Sequence, residues 1–399
     1  MAKGFACMII LAAARQLGAT PPEPDRLTRG LNQFAIEAYA KLARTAENVI
    51  YSPFSISSAL SMLLAGAGGQ TAHEIAAVLH QADSDPSRDA ALAKLVDQLT
   101  QAANVNGTEL LNANGLWADE NFRLQSEFRR TMLSLYRAPM VSLDFWSNPE
   151  NARREINEWT ASHTRGKIGE LFGPGAFDRG TRLVLSSATY FCGKWQLAFP
   201  PQGTRPAPFH LAGGGTVETP FMNRSGRFGY AETNSLEILE MKYADGSLAL
   251  DVLLPKPPAS SDDIEKKLNA ESMGAWMGSL ESRTVEVALP KFRTDSEFSL
   301  REVLAGLGMP AAFSAAADFS RIDGRRDLFL SQVMHKAFVD ISEEGTEAAA
   351  ATGMAVNLVA LAVPQHTVFR ADHPFIFLIR DTRSGLILFA GRLMHPRAA

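Results

Sequence analysis

The sequence predicts an α+β fold in one large domain, and three observations carry that prediction. Segments with helical spacing crowd the first third of the chain, and apolar runs of strand length crowd the rest. The 399 residues, 46% of them hydrophobic, can bury one extensive core or two smaller ones. No internal repeat and no long linker divides them.

The elements follow in order. From Asp25 to Leu42 the residues Leu27, Leu31, Phe34, Ala35, Ala38 and Leu42 keep helical spacing. Ser52-Pro53 opens a second helix, apolar from Phe54 to Ala65 and closed by Gly66-Ala-Gly-Gly69. Thr71 is placed to cap a third, His73 to Leu79. A helix is read from Asp89 to Leu99, and an amphipathic one from Pro149 to His163, carrying Ile156 and Trp159. Leu183 to Phe191, Leu248 to Leu254 and Phe375 to Ile379 are uninterrupted apolar runs, as in strands buried on both faces. Val285 to Leu289 alternates like a half-buried strand. Leu386 to Ala390 pairs with Phe375 to Ile379 across Asp381-Thr-Arg-Ser-Gly385, a hairpin.

Composition excludes several function classes. The net charge is -4, and the basic pairs Arg153-Arg154 and Arg325-Arg326 read as solvated surface, so no nucleic-acid partner is expected. No apolar run reaches the roughly 20 residues that span a bilayer, so no membrane partner is expected either. Lys3 precedes an apolar stretch from Phe5 to Ala14, and Leu17-Gly18-Ala19 precedes the Pro-rich Thr20-Pro-Pro-Glu-Pro24. That is the shape of a signal peptide over residues 1–19, cut near Ala19; a frayed helix is the alternative. A Pro-rich segment, 20–26, and a single domain, 27–399, would follow. Export makes the chain extracellular, or periplasmic in a bacterium. Cys7 falls in the signal and leaves Cys192 alone, so neither a disulfide nor a zinc site is expected in the mature chain.

No residues compose a recognisable catalytic setting. Gly66-Ala-Gly-Gly69 follows a helix rather than a strand and reads as helix-end capping. No P-loop, His-Glu-x-x-His or Gly-x-Ser-x-Gly occurs. His335, before a strand and among apolar neighbours, reads as a buried hydrogen-bonding group rather than a base. Asn106-Gly-Thr108 and Asn223-Arg-Ser225 are glycosylation triplets of the kind that arise often by chance. Neither an enzyme nor a metal or cofactor is expected.

One stretch carries opposed signals: Glu343, Glu344, Gly345, Thr346, Glu347, Ala348, Ala349, Ala350, Ala351 and Thr352. Its Ala run favours a helix. Its neighbours, Lys336 to Ile341 and Phe375 to Ile379, favour strands. Small side chains without Pro suit an exposed loop that can become a strand. That points to conformational change rather than chemistry in a pocket.

From about Leu27 to Pro396 the sequence resembles the serpin family. The resemblance rests on Asn48-Val-Ile-Tyr-Ser-Pro-Phe-Ser-Ile-Ser-Ser-Ala-Leu60, Gly66-Ala-Gly-Gly-Gln-Thr71, Asn114-Gly-Leu-Trp117 and Gly193-Lys-Trp195. Leu289-Pro-Lys-Phe292, Leu307-Gly-Met309, Ala317-Asp-Phe-Ser320, His335-Lys-Ala337, His373-Pro-Phe375 and Phe389-Ala-Gly391 follow in family order. The stretch from Glu343 to Thr352 matches the family's hinge.

The resemblance implies three β-sheets, about nine helices and an exposed reactive-centre loop offered as bait to a serine protease. A protease that attacks the bait forms an acyl-enzyme. The freed hinge then inserts into the largest sheet, a strand addition that releases stored strain. Thr346 to Val359 would extend roughly 45 Å as a strand. Thr346, Ala348, Ala350, Thr352, Met354, Val356 and Leu358 would share one face, beginning small and ending apolar. Hinge spacing places the cut at Val359-Ala360; counting back from Phe369-Arg-Ala-Asp-His-Pro-Phe375 gives Ala360 to Val363. The aliphatic Leu358, Val359 and Leu361 suit an elastase-like or chymotrypsin-like pocket, whereas a trypsin-like pocket would keep its buried Asp unpaired. The alternative is a non-inhibitory serpin, a binding or storage protein whose loop is merely cut.

Two gates also come from the resemblance. Trp195, Glu343 and Lys291 lie where the loop first enters the sheet, with Glu343 and Lys291 paired. Ser52, Ser55 and His335 lie at the mid-sheet opening, where Ser187 replaces the family's usual Asn and predicts a weaker network. The segment near Asp89 to Leu99 lacks the basic cluster of heparin-activated members, so no heparin dependence is expected. A monomer is expected.

Overall fold

The computed structural model describes residues 25–44, 47–82, 88–103, 107–244, 246–346 and 367–396. Helix α1 (Arg26–Leu42) starts where Asp25 accepts the Thr28 N–H. Strand β1 (Val49–Tyr51) runs directly into α2 (Pro53–Gly66), which Ser52 caps and Pro53 opens. Nearly every residue of α2 is buried, which is why it shows no one-sided apolar stripe. Helix α3 (Gly69–Val78) begins earlier than expected. Thr71 lies inside it, and its hydroxyl accepts the Asp318 N–H instead of capping. Then come α4 (Arg88–Ala103), β2 (Glu109–Asp119), α5 (Ser126–Thr131), β3 (Met140–Leu143) and α6 (Pro149–His163).

Strands dominate from there: β4 (Leu183–Lys194), β5 (Arg205–His210), β6 (Thr216–Glu232), β7 (Leu236–Lys242) and β8 (Leu248–Pro255). Two short helices, α7 (Ser261–Glu265) and α8 (Ala270–Gly278), lead to β9 (Glu281–Pro290) and β10 (Phe292–Ser299). After α9 (Arg301–Leu307) and α10 (Ser320–Asp323) follow β11 (Leu330–Ile341), β12 (Gly345–Thr346), β13 (Thr367–Arg370), β14 (Phe375–Asp381) and β15 (Ile387–Leu393). His335 is therefore in the middle of a strand, not ahead of one.

Hydrogen bonding joins these strands into two sheets. One has the order β10-β11-β12-β4-β2-β3. The other runs β1-β15-β14-β8-β7-β6-β9-β13, with β5 also on β6. The long β6 pairs β5 through its first residues and β7 through its last, so the second sheet divides into two strand groups. Together with the first sheet this makes three. Phe191, Tyr243, Phe292, Phe377 and Phe389 fill one core; α1, α2 and α3 cover another. Arg380 on β14 is buried against Asp251 on β8, which supplies both carboxylate oxygens and so offsets the cost of desolvating the charge.

The Asn223 triplet is committed internally. Its amide nitrogen donates to the carbonyls of Gly203 (2.9 Å) and Phe221 (3.0 Å), and a glycan, which replaces one amide hydrogen, would break one of these bonds. The signal segment, most of the Pro-rich segment and Asn106 lie outside the described residues.

Candidate functional site

Strands β4 and β11 pair directly, and in parallel, from Leu183 and Leu330 to Tyr190 and Phe338. Beyond that point they part and β12 sits between them, antiparallel to both. Thr346 faces Ile341 of β11 and Gly193 of β4, and Gly345 faces Lys194. The chain reaches this slot by doubling back: the Ser342 N–H donates to the Gly345 carbonyl at 2.8 Å.

Sequence explains why the slot accepts these two residues. Gly345 has φ +153°, and a Cβ there would stand 1.9 Å from the Gly193 carbonyl oxygen. A Cβ on Gly193 would in turn meet the Tyr243 ring at 2.7 Å. Two glycines on adjacent strands thus let the backbones close. Thr346 is fully buried and shares a 2.7 Å hydrogen bond with the Tyr243 hydroxyl. Trp195 stacks on Tyr243 at 4.7 Å; its indole N–H donates to the Ser342 carbonyl at 2.9 Å and its backbone N–H to the Glu344 carbonyl at 2.8 Å.

The Glu343 carboxylate meets Lys291 Nζ at 2.9 Å and accepts the Thr204 hydroxyl at 2.9 Å. Burial opposes its ionisation, but Lys291 and Thr204 outweigh burial and hold the carboxyl below the usual range. The Phe199 N–H donates to the Glu343 carbonyl at 2.8 Å. Trp195, Lys291 and residues 343 to 346 are therefore one constellation. Glu347 to Thr352, Leu358, Val359, Ala360 and Leu361 lie outside the described residues. The described chain leaves the first sheet at Thr346 and returns on the second at Thr367, where β13 pairs β9 in parallel.

A second constellation lies on the same seam, where His335 and Ser187 are register partners. His335 is fully buried. Its Nε2 accepts the Ser52 backbone N–H at 2.9 Å, which puts the proton of the neutral ring on Nδ1, 3.0 Å from Ser187 Oγ. Ser187 Oγ is 2.8 Å from Ser55 Oγ, which reaches the side-chain oxygens of Asn112 (2.7 Å) and Asn114 (2.9 Å). Hydrogen bonds thus run in one direction from β11 through β4 and α2 to β2. Burial pushes the His335 pKa down to about 3, so the ring is neutral.

The shorter side chain at Ser187 still bridges His335 and Ser55, because Asn112 and Asn114 on the neighbouring strand bring the amides. Sequence reasoning did not single out those two, although two Asn at i and i+2 in an apolar strand are a buried-polar signal. Thr204 and Tyr243 left no local signal. In a nucleophilic pair the hydroxyl donates to the imidazole; here the imidazole N–H donates to Ser187, and no substrate reaches it. The arrangement fits a fastening between strands rather than catalysis.

The family model described as serpin (serine protease inhibitor) matches residues 29–396. The chain is 38% identical over 384 residues to the leukocyte elastase inhibitor of Bos taurus, covering 93% of this chain and 100% of that protein. It is 37% identical over 372 residues to an uncharacterised serpin-like protein of Thermococcus kodakarensis, covering 93% and 86%. Among solved structures, a highly specific serpin of the insect Tenebrio molitor superposes with a TM-score of 0.84 at 32% identity, covering 93% of this chain and 98% of that one.

Proposed function

This chain belongs to the serpin family, and from that premise we propose that it inhibits serine proteases as a suicide substrate, with residues 347–366 as the bait. The observation that supports this reading most is β12, the first two residues of an incoming strand already seated between β4 and β11. The protease serine hydroxyl adds to the carbonyl of Val359; the bond to Ala360 breaks and its amine departs, leaving an ester to the protease. The freed residues behind Thr346 follow β12 into the seam, drawing the esterified protease along before water can hydrolyse the ester. Glu343 with Lys291, and His335 with Ser187 and Ser55, hold the seam shut until then. Leu358, Val359 and Leu361 direct the bait to an elastase-like or chymotrypsin-like protease. The chain acts as an exported monomer of one domain, without heparin.

The test is incubation with an elastase followed by a denaturing gel. A covalent complex is expected. Clean cleavage without complex overturns trapping and leaves the binding or storage reading. Thr346→Arg, which would bury a charge beside Tyr243, is expected to abolish the complex and leave cleavage intact.

A further inference from the structure

The return of the chain onto the second sheet contains a charged fastening that the trapping cycle does not use. The β14–β8 register, Ile376 opposite Leu253, carries Pro374 to a position opposite Pro255. Neither proline has an N–H, so the buried Pro255 carbonyl finds no backbone donor there. The His373 side chain supplies one: its Nε2 lies 2.8 Å from that oxygen. Its Nδ1 lies 3.0 Å from Asp372 Oδ1. A carbonyl and a carboxylate can only accept, so only the doubly protonated imidazolium satisfies both. Asp372 in turn pairs with Arg370 at 3.2 Å, accepts the His210 N–H through its backbone carbonyl at 2.7 Å, and follows Ala371, whose N–H donates to Ala288 of β9 at 3.0 Å.

We propose that His373 is a proton-dependent clasp that positions the downstream anchor of the 347–366 segment by tying the end of β13 to the end of β8. Its importance for inhibition rests on the bait reading; the clasp itself does not. Burial opposes the charge on His373, but the bonds to Asp372 and to the Pro255 carbonyl outweigh it and raise the ring above its ordinary range. Glu237 on β7 adds to the acidic surroundings, while Arg370 on the same segment and His210 on β5 act on Asp372, which they and His373 hold ionised. With the folded pKa raised, the stabilisation is complete below about 6.5 and is lost as pH rises through the folded value. The neutral ring keeps a single N–H, so a lone pair is then set against either the Pro255 carbonyl or the Asp372 carboxylate, and one of the two bonds is lost.

Two measurements without any protease test this. The His373 ring protons, followed by NMR in the unmodified protein, are expected to titrate with a midpoint above 6.5. Protection of the Ala371 amide, corrected for intrinsic exchange, is expected to fall as pH rises from 6 to 9, by up to about tenfold for each unit by which that midpoint exceeds the ordinary value. His373→Gln keeps one donor and no titration, so its Ala371 protection should be flat with pH. A midpoint at or below 6.5, or the same fall in His373→Gln, overturns the clasp. A chain that never traps elastase overturns the bait reading and leaves these results standing.

Discussion

Gly345 is a position where only one residue fits. A Cβ within 1.9 Å of the Gly193 oxygen cannot be relieved by a rotamer, because the obstacle is backbone. Gly345→Ala is therefore expected to unseat β12, lower stability by about 1–3 kcal/mol, and shift the products with elastase from complex toward cleaved chain. Thermal unfolding and the gel ratio of complex to cleaved chain check this. Beside it, Glu343→Gln removes the ion pair with Lys291 but keeps an acceptor for Thr204. Lys291 is partly open to water, so about 1 kcal/mol of loss is expected. Because the Glu343 carboxyl is held low, its contribution is present above the unfolded value near 4.5 and disappears as pH falls through the folded one. A difference between wild type and Glu343→Gln that persists undiminished at acid pH would contradict this. Lys291, Glu343 and Trp195 were legible because they sit in recognisable motifs. Thr204 and Tyr243 were not, since a lone Thr and a lone Tyr become partners of Glu343 and Thr346 only when distant strands meet.

Four elements meet at His335, and their junction responds to pH. The unfolded ring takes up a proton near 6.5, whereas the buried one resists down to about 3. Stability is thus expected to fall below pH 6.5 by about 1.4 kcal/mol per unit from this group alone, until the folded value is reached. Urea unfolding between pH 7 and 4 measures the slope. His335→Phe should flatten it, while costing about 1–3 kcal/mol at neutral pH by orphaning the Ser52 N–H. An unchanged slope in that variant would exclude His335 as the source. Elements with one dominant signal were legible: Pro149–His163 as a helix, Leu183 to Phe191 as the doubly buried part of β4, β14 and β15 as a hairpin. Others hid their signal. β5 carries two prolines, tolerable because it pairs only β6. β10 keeps the two-residue period, but two of its four inward positions are polar, Thr294 and Ser296.

At the scale of the whole molecule, an α+β chain without linkers was legible, but strand order was not. β4 and β11 are neighbours although some 150 residues separate them, and nothing in either run names its partner. On the proposed function, that seam would decide how the molecule responds to a cut. Strands β4 and β11 point the same way, and β12 points against both. Each residue that followed β12 inward would exchange one parallel pairing for two antiparallel ones, the stronger kind. A chain nicked once within residues 347–366 by a protease that escapes is therefore expected to unfold at a higher temperature than the intact chain; an unchanged or lower midpoint would contradict this. In mechanical terms the proposed function would make the sheet a ratchet whose first tooth, β12, is engaged. On the proposed function its pawl would be the covalent link from Thr346 to β13, so the stroke would be driven by bond directions fixed when the sheet assembled, and a protease would supply only the release.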